Sequence, residues 1–455
     1  MHYDIIIIGG GASGLMAAYG ACNAGNKKTS VLVLEKMPRP GRKIMITGKG
    51  RCNFTNVKSW SDFSSHVRAN SNVLRPSFYN LTPDALIDFF SQNGMESVIE
   101  RGDRAFPISH KSMDVVDALA DAALHAGARI EVNAEVTDVE HDGSCFTVTL
   151  AGGRSFTSSK LIIATGGLSY PSTGSTGFGY SLAEKFGHTV KQCFPSLTAL
   201  VPKGYKLIPE GFKADMKCHI DRSTPLSETG EALCGNSLKN IGIKLEINGI
   251  ETQEMEGDID FTDGGLEGPA GFATSRNAVK ALINGSKAKI LIDMKPGVPE
   301  EEFSSRVNDL WREVMKDPRS NGKPVRQVAK ILLGKLMPWD LIPAFTKCHP
   351  EIFSSPKGRE SLKLKALVNA IRRWEFEIEG YVGYERCVIT AGGVSGDEVV
   401  PKTLASRKCE GLYLCGEVLD IDADTGGYNL HIAFSTGYLA GISAALSCSG
   451  YFPCM

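Results

Sequence analysis

The first turn of the chain constrains its fold more than any other feature. An apolar run, Tyr3-Asp4-Ile5-Ile6-Ile7-Ile8, enters Gly9-Gly10-Gly11-Ala12-Ser13-Gly14 and continues as the helix-forming Leu15-Met16-Ala17-Ala18-Tyr19. Strand, G-x-G-x-x-G and helix in that order form the turn that lays a dinucleotide pyrophosphate on a helix N-terminus. Gly9 is expected to make the turn, Gly11 to admit the phosphates and Gly14 to let helix and strand pack closely, with Ala12 and Ser13 in the first helical turn. A second strand, Ser30-Val31-Leu32-Val33-Leu34, ends at Glu35, about 20 residues on, where such folds place the acid that binds ribose hydroxyls. Lys36, beside it, and Val136, at the head of a later strand, are further candidates for cofactor contact.

Composition adds bounds. A chain of 455 residues with 42% apolar and 22% charged side chains reads as two or three globular domains. A formal net charge of −1 gives no electrostatic reason to expect nucleic acid or an anionic membrane surface. Twelve cysteines, none spaced C-x-x-C and none grouped with histidine at zinc spacing, imply reduced thiols in the cytoplasm and no metal site. The apolar run from Ile5 to Ala21 is broken by glycines and Ser13, which fits neither a signal peptide nor a membrane span.

Residues 1–192 read as an α/β unit with helical patterns at Pro83–Asn93 and Met113–Ala126 and strand patterns at Arg129–Val132, Val136–His141 and Cys145–Leu150. A further strand leads into Ala164-Thr165-Gly166-Gly167, and the Ser/Thr/Gly-rich loop after it precedes a helix expected at Tyr180–Phe186. Residues 193–298 look β-rich, with strand-like pieces at Lys217–Ile220, Gly242–Ile247, Asp258–Phe261 and Lys289–Asp293. Residues 299–384 look helical, with patterns at Pro299–Lys316, Pro324–Lys335, Trp339–Cys348 and Gly358–Arg373. The α/β texture returns over 385–455 and closes with an apolar helix expected at Leu430–Leu446. One dinucleotide domain is therefore expected from both termini, with the middle inserted into it.

A single glycine fingerprint followed by the late strand Leu412-Tyr413-Leu414-Cys415-Gly416-Glu417 points to FAD held in a glutathione-reductase-type fold. In such folds the acid after the glycine, here Glu417, contacts the ribityl chain. The helix following Gly427, with Tyr428, Asn429 and Leu430 in its first turn, points its positive end at the flavin edge. The basic stretch after the ribose acid supplies Lys43, Thr47, Gly48, Gly50, Arg51, Cys52 and Asn53 along the cofactor, and Thr165, Gly166 and Gly167 offer backbone on its other side. Cys52 lacks the nearby second cysteine that a disulfide-type flavin reductase requires. For a proton donor the choice stays open among Tyr170, Arg104, Asp424 and His431, with His110 and Asp422 as further titratable or polar neighbours of the same loops.

Thr47-Gly48-Lys49-Gly50-Arg51-Cys52-Asn53, Ala164-Thr165-Gly166-Gly167, Phe261-Thr262-Asp263-Gly264-Gly265-Leu266-Glu267-Gly268-Pro269, Thr390-Ala391-Gly392-Gly393-Val394 and the Gly416–Leu430 stretch together resemble the BaiN/YhiN-like flavoproteins, also described as NAD(P)/FAD-dependent or aminoacetone-oxidase-like oxidoreductases. The resemblance covers nearly the whole chain. It implies an FAD domain interrupted by a β-barrel-like insert with a helical piece, and reduction of an activated C=C bond such as that of a steroid enone. Phe178 stands where related loops tend to carry an acid, and Glu267 where a small residue is common. The expected partner is a small-molecule substrate, with NAD(P)H visiting the flavin transiently. Rival readings are an oxidase or dehydrogenase that passes electrons to oxygen, an RNA-associated flavoprotein, and a flavin-bound protein without turnover.

Overall fold

The computed structural model describes residues 1–24, 29–208, 218–354 and 360–448. Lys217, and Gly358 with Arg359, which open two of the expected elements, lie outside that set. The chain divides into two compact units, one of Met1–Pro195 with the residues from Cys387 onward, the other of Ser196–Arg386.

In the first unit five strands run parallel in the order Arg129–Glu131, Val31–Leu34, His2–Ile8, Ser155–Ile163 and Leu412–Leu414. Ile5, Ile6, Ile7, Val33, Leu34 and Ile162 are buried, as strands covered on both faces require. Ser155–Ile163 is shared. Its first half pairs antiparallel with Phe146–Leu150, which pairs in turn with Val136–His141, while its second half pairs with the late strand Leu412–Leu414.

The two ends of the chain meet in the helices Ala12–Asn23 and Tyr428–Cys448. A Cβ on Gly437 would lie 2.2 Å from the Ser13 carbonyl oxygen, and one on Gly441 would lie 2.0 Å from that of Ala17. The two backbones therefore touch, and only glycine fits at either crossing point. The terminal helix is long and apolar enough to cross a membrane, yet 67% of its most apolar stretch is buried in the protein. It starts two residues before the expected Leu430.

The second unit is a barrel. Its six strands close in the order Leu200–Pro202, Gly265–Glu267, Ile250–Thr262, Ser237–Ile247, Ala288–Asp293 and Trp374–Val382, with the last pairing back on the first. The helices Glu300–Lys316, Val325–Leu336, Ile342–Cys348 and Leu364–Arg372 occupy the helical segment expected from sequence. That segment does not extend to residue 384, because Trp374–Val382 is a barrel stave: Trp374, Phe376 and Ile378 point inward while Glu375, Glu377 and Glu379 face out. A helix over Gly268–Ile283 also interrupts the β-rich stretch, its buried face built from Gly268, Ala270, Gly271, Thr274, Ser275 and Ala278. Glu267, at its start, is bonded by the Arg386 guanidinium, which also reaches Asp263 at 2.7 Å.

Candidate functional site

The glycine turn sorts its three glycines by space. Gly9 donates to the Leu34 carbonyl at 2.9 Å with φ +106°, and a Cβ on it would lie 2.5 Å from the Ala164 oxygen. A Cβ on Gly14 would lie 1.8 Å from the Gly9 oxygen. A Cβ on Gly11 would meet nothing within 4 Å. The first and last glycines are thus needed by the protein, and the middle one opens onto free space. Gly11 caps the helix Ala12–Asn23, whose first turn has no acidic residue and no side-chain cap, so its amides remain available to phosphate oxygens. Gly11→Ala is expected to leave the melting temperature of the flavin-free protein unchanged while weakening FAD uptake at least tenfold, measured by flavin titration. Gly14→Ala is expected to destabilise the protein with or without FAD.

Glu35 is built as an acceptor. Its Oε2 takes the Gly10 amide and its Oε1 the Met37 amide, both at 2.8 Å. Burial raises its carboxyl above the usual range, and the two amides offset only part of that rise. The Ala134 amide bonds the Glu35 carbonyl at 2.9 Å, which brings the buried Val136 segment to the same end. Lys36 donates to Thr176 at 2.9 Å, tying the acid's neighbour to the loop after Gly167.

Three distant segments meet on Glu417. Lys43 Nζ bonds its Oε2 at 2.7 Å; Ser169 Oγ at 2.6 Å and the Thr390 amide at 2.8 Å both bond its Oε1. Lys43 also bonds Ser169 Oγ at 2.8 Å, and Thr390 Oγ1 accepts the Leu168 and Ser169 amides. Burial favours the neutral acid, but the Lys43 charge and these donors outweigh it and hold the carboxyl below the usual range. The glycines leave room for this cluster: a Cβ on Gly167 would lie 2.6 Å from Thr390 Oγ1, and one on Gly166 would lie 2.8 Å from Ser175 Oγ. A Cβ on Gly416 would meet Ser13 Oγ at 2.5 Å, so the late strand ends directly beside the first helical turn. Thr165 packs under Gly179, inside a helix that begins at Phe178 rather than at the expected Tyr180.

The basic stretch curls tightly between these elements. Gly48 and Gly50 both have positive φ, and Thr47 caps Ile44 at 2.6 Å. Cys52 is fully buried and burial pushes its thiol up to about 12, so it carries no thiolate at neutral pH. Gly427 lies against this stretch, where a Cβ would be 2.4 Å from the Thr55 oxygen and 2.8 Å from Asn53 Oδ1. Asn53 Oδ1 and Asn56 Oδ1 are buried acceptors with no donor among the described residues. Orphaned acceptors at the start of a 21-residue helix with no acid in its first turn suit a planar ligand that brings its own N–H between carbonyls. The isoalloxazine ring of FAD is such a ligand. Asn429 fixes the turn by bonding the Ala423 amide and carbonyl, Tyr428 stacks on His66 at 4.4 Å, and Leu430 follows in the same first turn.

The four expected proton donors occupy separate environments. His431 is fully buried among Phe63 and Phe78, bonded to Thr55 at 2.9 Å, and burial pushes its pKa down to about 3; it stays neutral and is a packing residue. Asp424 is committed to the Arg68 guanidinium and to His66 at 3.0 Å. Arg104 sits on a surface hairpin over the Phe106 ring. Tyr170 follows Ser169 of the Glu417 cluster, in a left-handed conformation. The His431 assignment has a pH signature. Its folded pKa lies below its unfolded value, so between pH 6.5 and about 3 the unfolded chain binds the extra proton and stability falls with acid. His431→Phe is therefore expected to flatten the loss of stability below pH 6.5, by up to about 1.4 kcal/mol per pH unit, in denaturant melts across that range.

Ser169 comes from the Ser/Thr/Gly-rich loop whose hydroxyls the sequence offers to the site, whereas Thr390, Asn56 and His66 enter it without an assigned role. The signal for Thr390 lay in the Thr390–Val394 motif; nothing in the sequence singles out Asn56 or His66.

Hydrogen-bonding groups for both ends of one extended dinucleotide stand within a single unit, and this defines a Rossmann flavoprotein of the FAD-dependent oxidoreductase class. More narrowly, the chain belongs to the family described as HI0933-like protein Rossmann domain, whose model matches residues 3–443. It is 30% identical over 443 residues to a 3-dehydro-bile acid delta(4,6)-reductase of Clostridium scindens, covering 96% of this chain and 98% of that protein. It is 29% identical over 439 residues to a ribosomal RNA dihydrouridine synthase of Escherichia coli, covering 96% of each. Among solved structures, a flavocytochrome c3 fumarate reductase aligns with a TM-score of 0.46 at 16% identity, over 98% of this chain and 78% of that one.

Proposed function

We propose that the protein reduces a carbon–carbon double bond conjugated to a carbonyl, with NAD(P)H supplying the electrons and the cytoplasm as its compartment. The observation that carries this reading is the start of the terminal helix, where Gly427 abuts the orphaned acceptor of Asn53. When bound and reduced by NAD(P)H, the flavin would supply a hydride to the β-carbon of the acceptor and return to its oxidised form. The protein's part is to hold the ring by its N–H edge through Asn53 and Asn56 and to aim the helix N-terminus where negative charge gathers. Lys43 Nζ is fixed by Glu417 and Ser169 within the same cradle. The two relatives support the type of acceptor, since the 4,6-dienone of a 3-oxo bile acid and the C5=C6 bond of uracil beside its C4 carbonyl are both enone-like. Eleven described cysteines are free thiols, which suits a reducing compartment.

We assign proton delivery to the α-carbon to Tyr170, which follows Ser169 of the Glu417 cluster, since His431 is neutral and buried, Asp424 is committed to Arg68 and Arg104 sits on the surface hairpin. Tyr170→Phe is expected to slow flavin reoxidation by an enone about 10²-fold while leaving FAD uptake and flavin reduction unchanged. The reaction itself is tested anaerobically. NADH and NADPH are tried as reductants, then 3-oxo-Δ4 steroids and simple enones as acceptors, with the saturated product identified by mass. Reoxidation by oxygen alone would remove the reductase reading in favour of an oxidase.

A second reading keeps the chemistry and changes the substrate: the double bond is that of a uridine in RNA. The E. coli relative favours it. The near-neutral charge of the whole chain opposes it only if no local excess of cations exists.

A further inference from the structure

We propose that the surface hairpin of strands Ser97–Glu100 and Arg104–Pro107, with Lys49, Arg51 and Lys111 around it, docks the phosphate backbone of RNA and presents a uridine to the flavin edge. This inference rests on the second reading above. Residues 49–58 and 100–111 carry six cationic side chains, Lys49, Arg51, Lys58, Arg101, Arg104 and Lys111, against two acidic ones, Glu100 and Asp103. The whole chain has a formal charge of −1, so the excess is local. Both acids are already matched, Glu100 to Arg51 and Asp103 to Lys58 at 3.4 Å. Of the acids that flank these two stretches, Glu96 and Asp114 each accept a serine hydroxyl, and Asp62 is exposed and leaves the cations in excess. Lys49, Arg101, Arg104 and Lys111 make no ion pair among the described residues, and Lys49, Arg101 and Lys111 are exposed. Gathered like charges repel one another until an anion arrives, and a polyphosphate strand is the anion that repays several of them together.

The patch is also ordered. Phe106 holds the Arg51 guanidinium 4.5 Å and the Arg104 guanidinium 5.8 Å from its ring centre, which fixes two planar forks of the kind that grip phosphate. Ile46, Ile99 and Ile108 are exposed nearby in the chain, at 45%, 56% and 65%. Exposed isoleucines among cations suit a partner with apolar base and ribose faces as well as charge. The position of the hairpin links it to the chemistry. Asn56 Nδ2 donates to Gly102 in the hairpin turn at 3.0 Å and to Gly426 at the start of the terminal helix at 3.1 Å. A strand docked on the hairpin thus lies beside the turn assigned to the flavin, within reach of a base that has left its stack.

The test uses the FAD-loaded protein and unmodified ribosomal RNA transcribed in vitro, large- and small-subunit RNA separately. A Lys49→Glu/Arg101→Glu/Lys111→Glu variant is expected to lose RNA affinity at least tenfold in fluorescence anisotropy. Its salt dependence of binding is expected to flatten by about one unit of log–log slope for each cation lost. Its flavin spectrum and its rate with a small enone stay those of wild type. Binding of the variant equal to wild type, with wild type still forming dihydrouridine, overturns the docking surface and leaves the RNA reading standing. Wild type that neither binds nor modifies either RNA, while reducing small enones, overturns both.

Discussion

Gly441→Ala is expected to loosen the joint between the two chain ends and to cost the protein most of its FAD. The new methyl group would stand 2.0 Å from the Ala17 oxygen, so the helices Ala12–Asn23 and Tyr428–Cys448 must move apart. Overpacking of this kind costs about 1–3 kcal/mol, and adding Gly437→Ala, 2.2 Å from the Ser13 oxygen, raises the cost further. Ser13 belongs to the phosphate turn and Gly427 opens the terminal helix, so separating the helices pulls the two ends of the cofactor cradle apart. Melting temperature and bound flavin per chain are expected to fall together. A variant that melts lower but keeps its flavin would show that the two helices need not touch for binding.

Glu417→Ala is the second large effect. It strips the acceptor from Lys43, Ser169 and the Thr390 amide at once. Leaving such donors unmatched costs about 1–3 kcal/mol, toward the lower end here because the Lys43 side chain is 26% exposed and water can reach it. Glu417→Gln keeps an acceptor and is expected to lose less. The Lys43→Ala/Glu417→Ala double variant is expected to recover part of the loss, giving a coupling of at least about 0.5 kcal/mol in a double-mutant cycle. The folded pKa of Glu417 lies below its unfolded value, so the ion pair stabilises the protein above the ordinary carboxylate range. That stabilisation is lost as pH falls through the folded pKa, and Glu417→Gln is expected to remove that part of the acid response.

The sequence was most legible where local chemistry and fold agree. Strand, glycines and Glu35 announced the adenosine end because each has a fixed task in one short stretch. The Lys43–Glu417 pair was legible only as two separate residues, since 374 positions separate them and nothing local says that they meet. The stave Trp374–Val382 was readable in Trp374-Glu375-Phe376-Glu377-Ile378-Glu379, a plain period of two, but the helices before it carried the reading past it. The helix Gly268–Ile283 was hidden by its own packing. Its glycines and small polar residues let it lie close to the barrel, with a Cβ on Gly257 2.9 Å from that of Ala270, and the same residues read as loop. His431 stood among several candidate proton donors because of its place beside site-like glycines; only its burial shows it to be neutral.

Titrating flavin-free protein with FAD, while following the visible flavin band and the melting temperature, tests the central claim directly. One FAD per chain is expected to saturate, and at a hundredfold excess over the dissociation constant the fold should gain about 2.7 kcal/mol. Gly11→Ala should right-shift the titration without changing its stoichiometry. A protein that takes up no FAD, or that binds it with no change in melting, would contradict the account of a single cradle built from both ends of the chain.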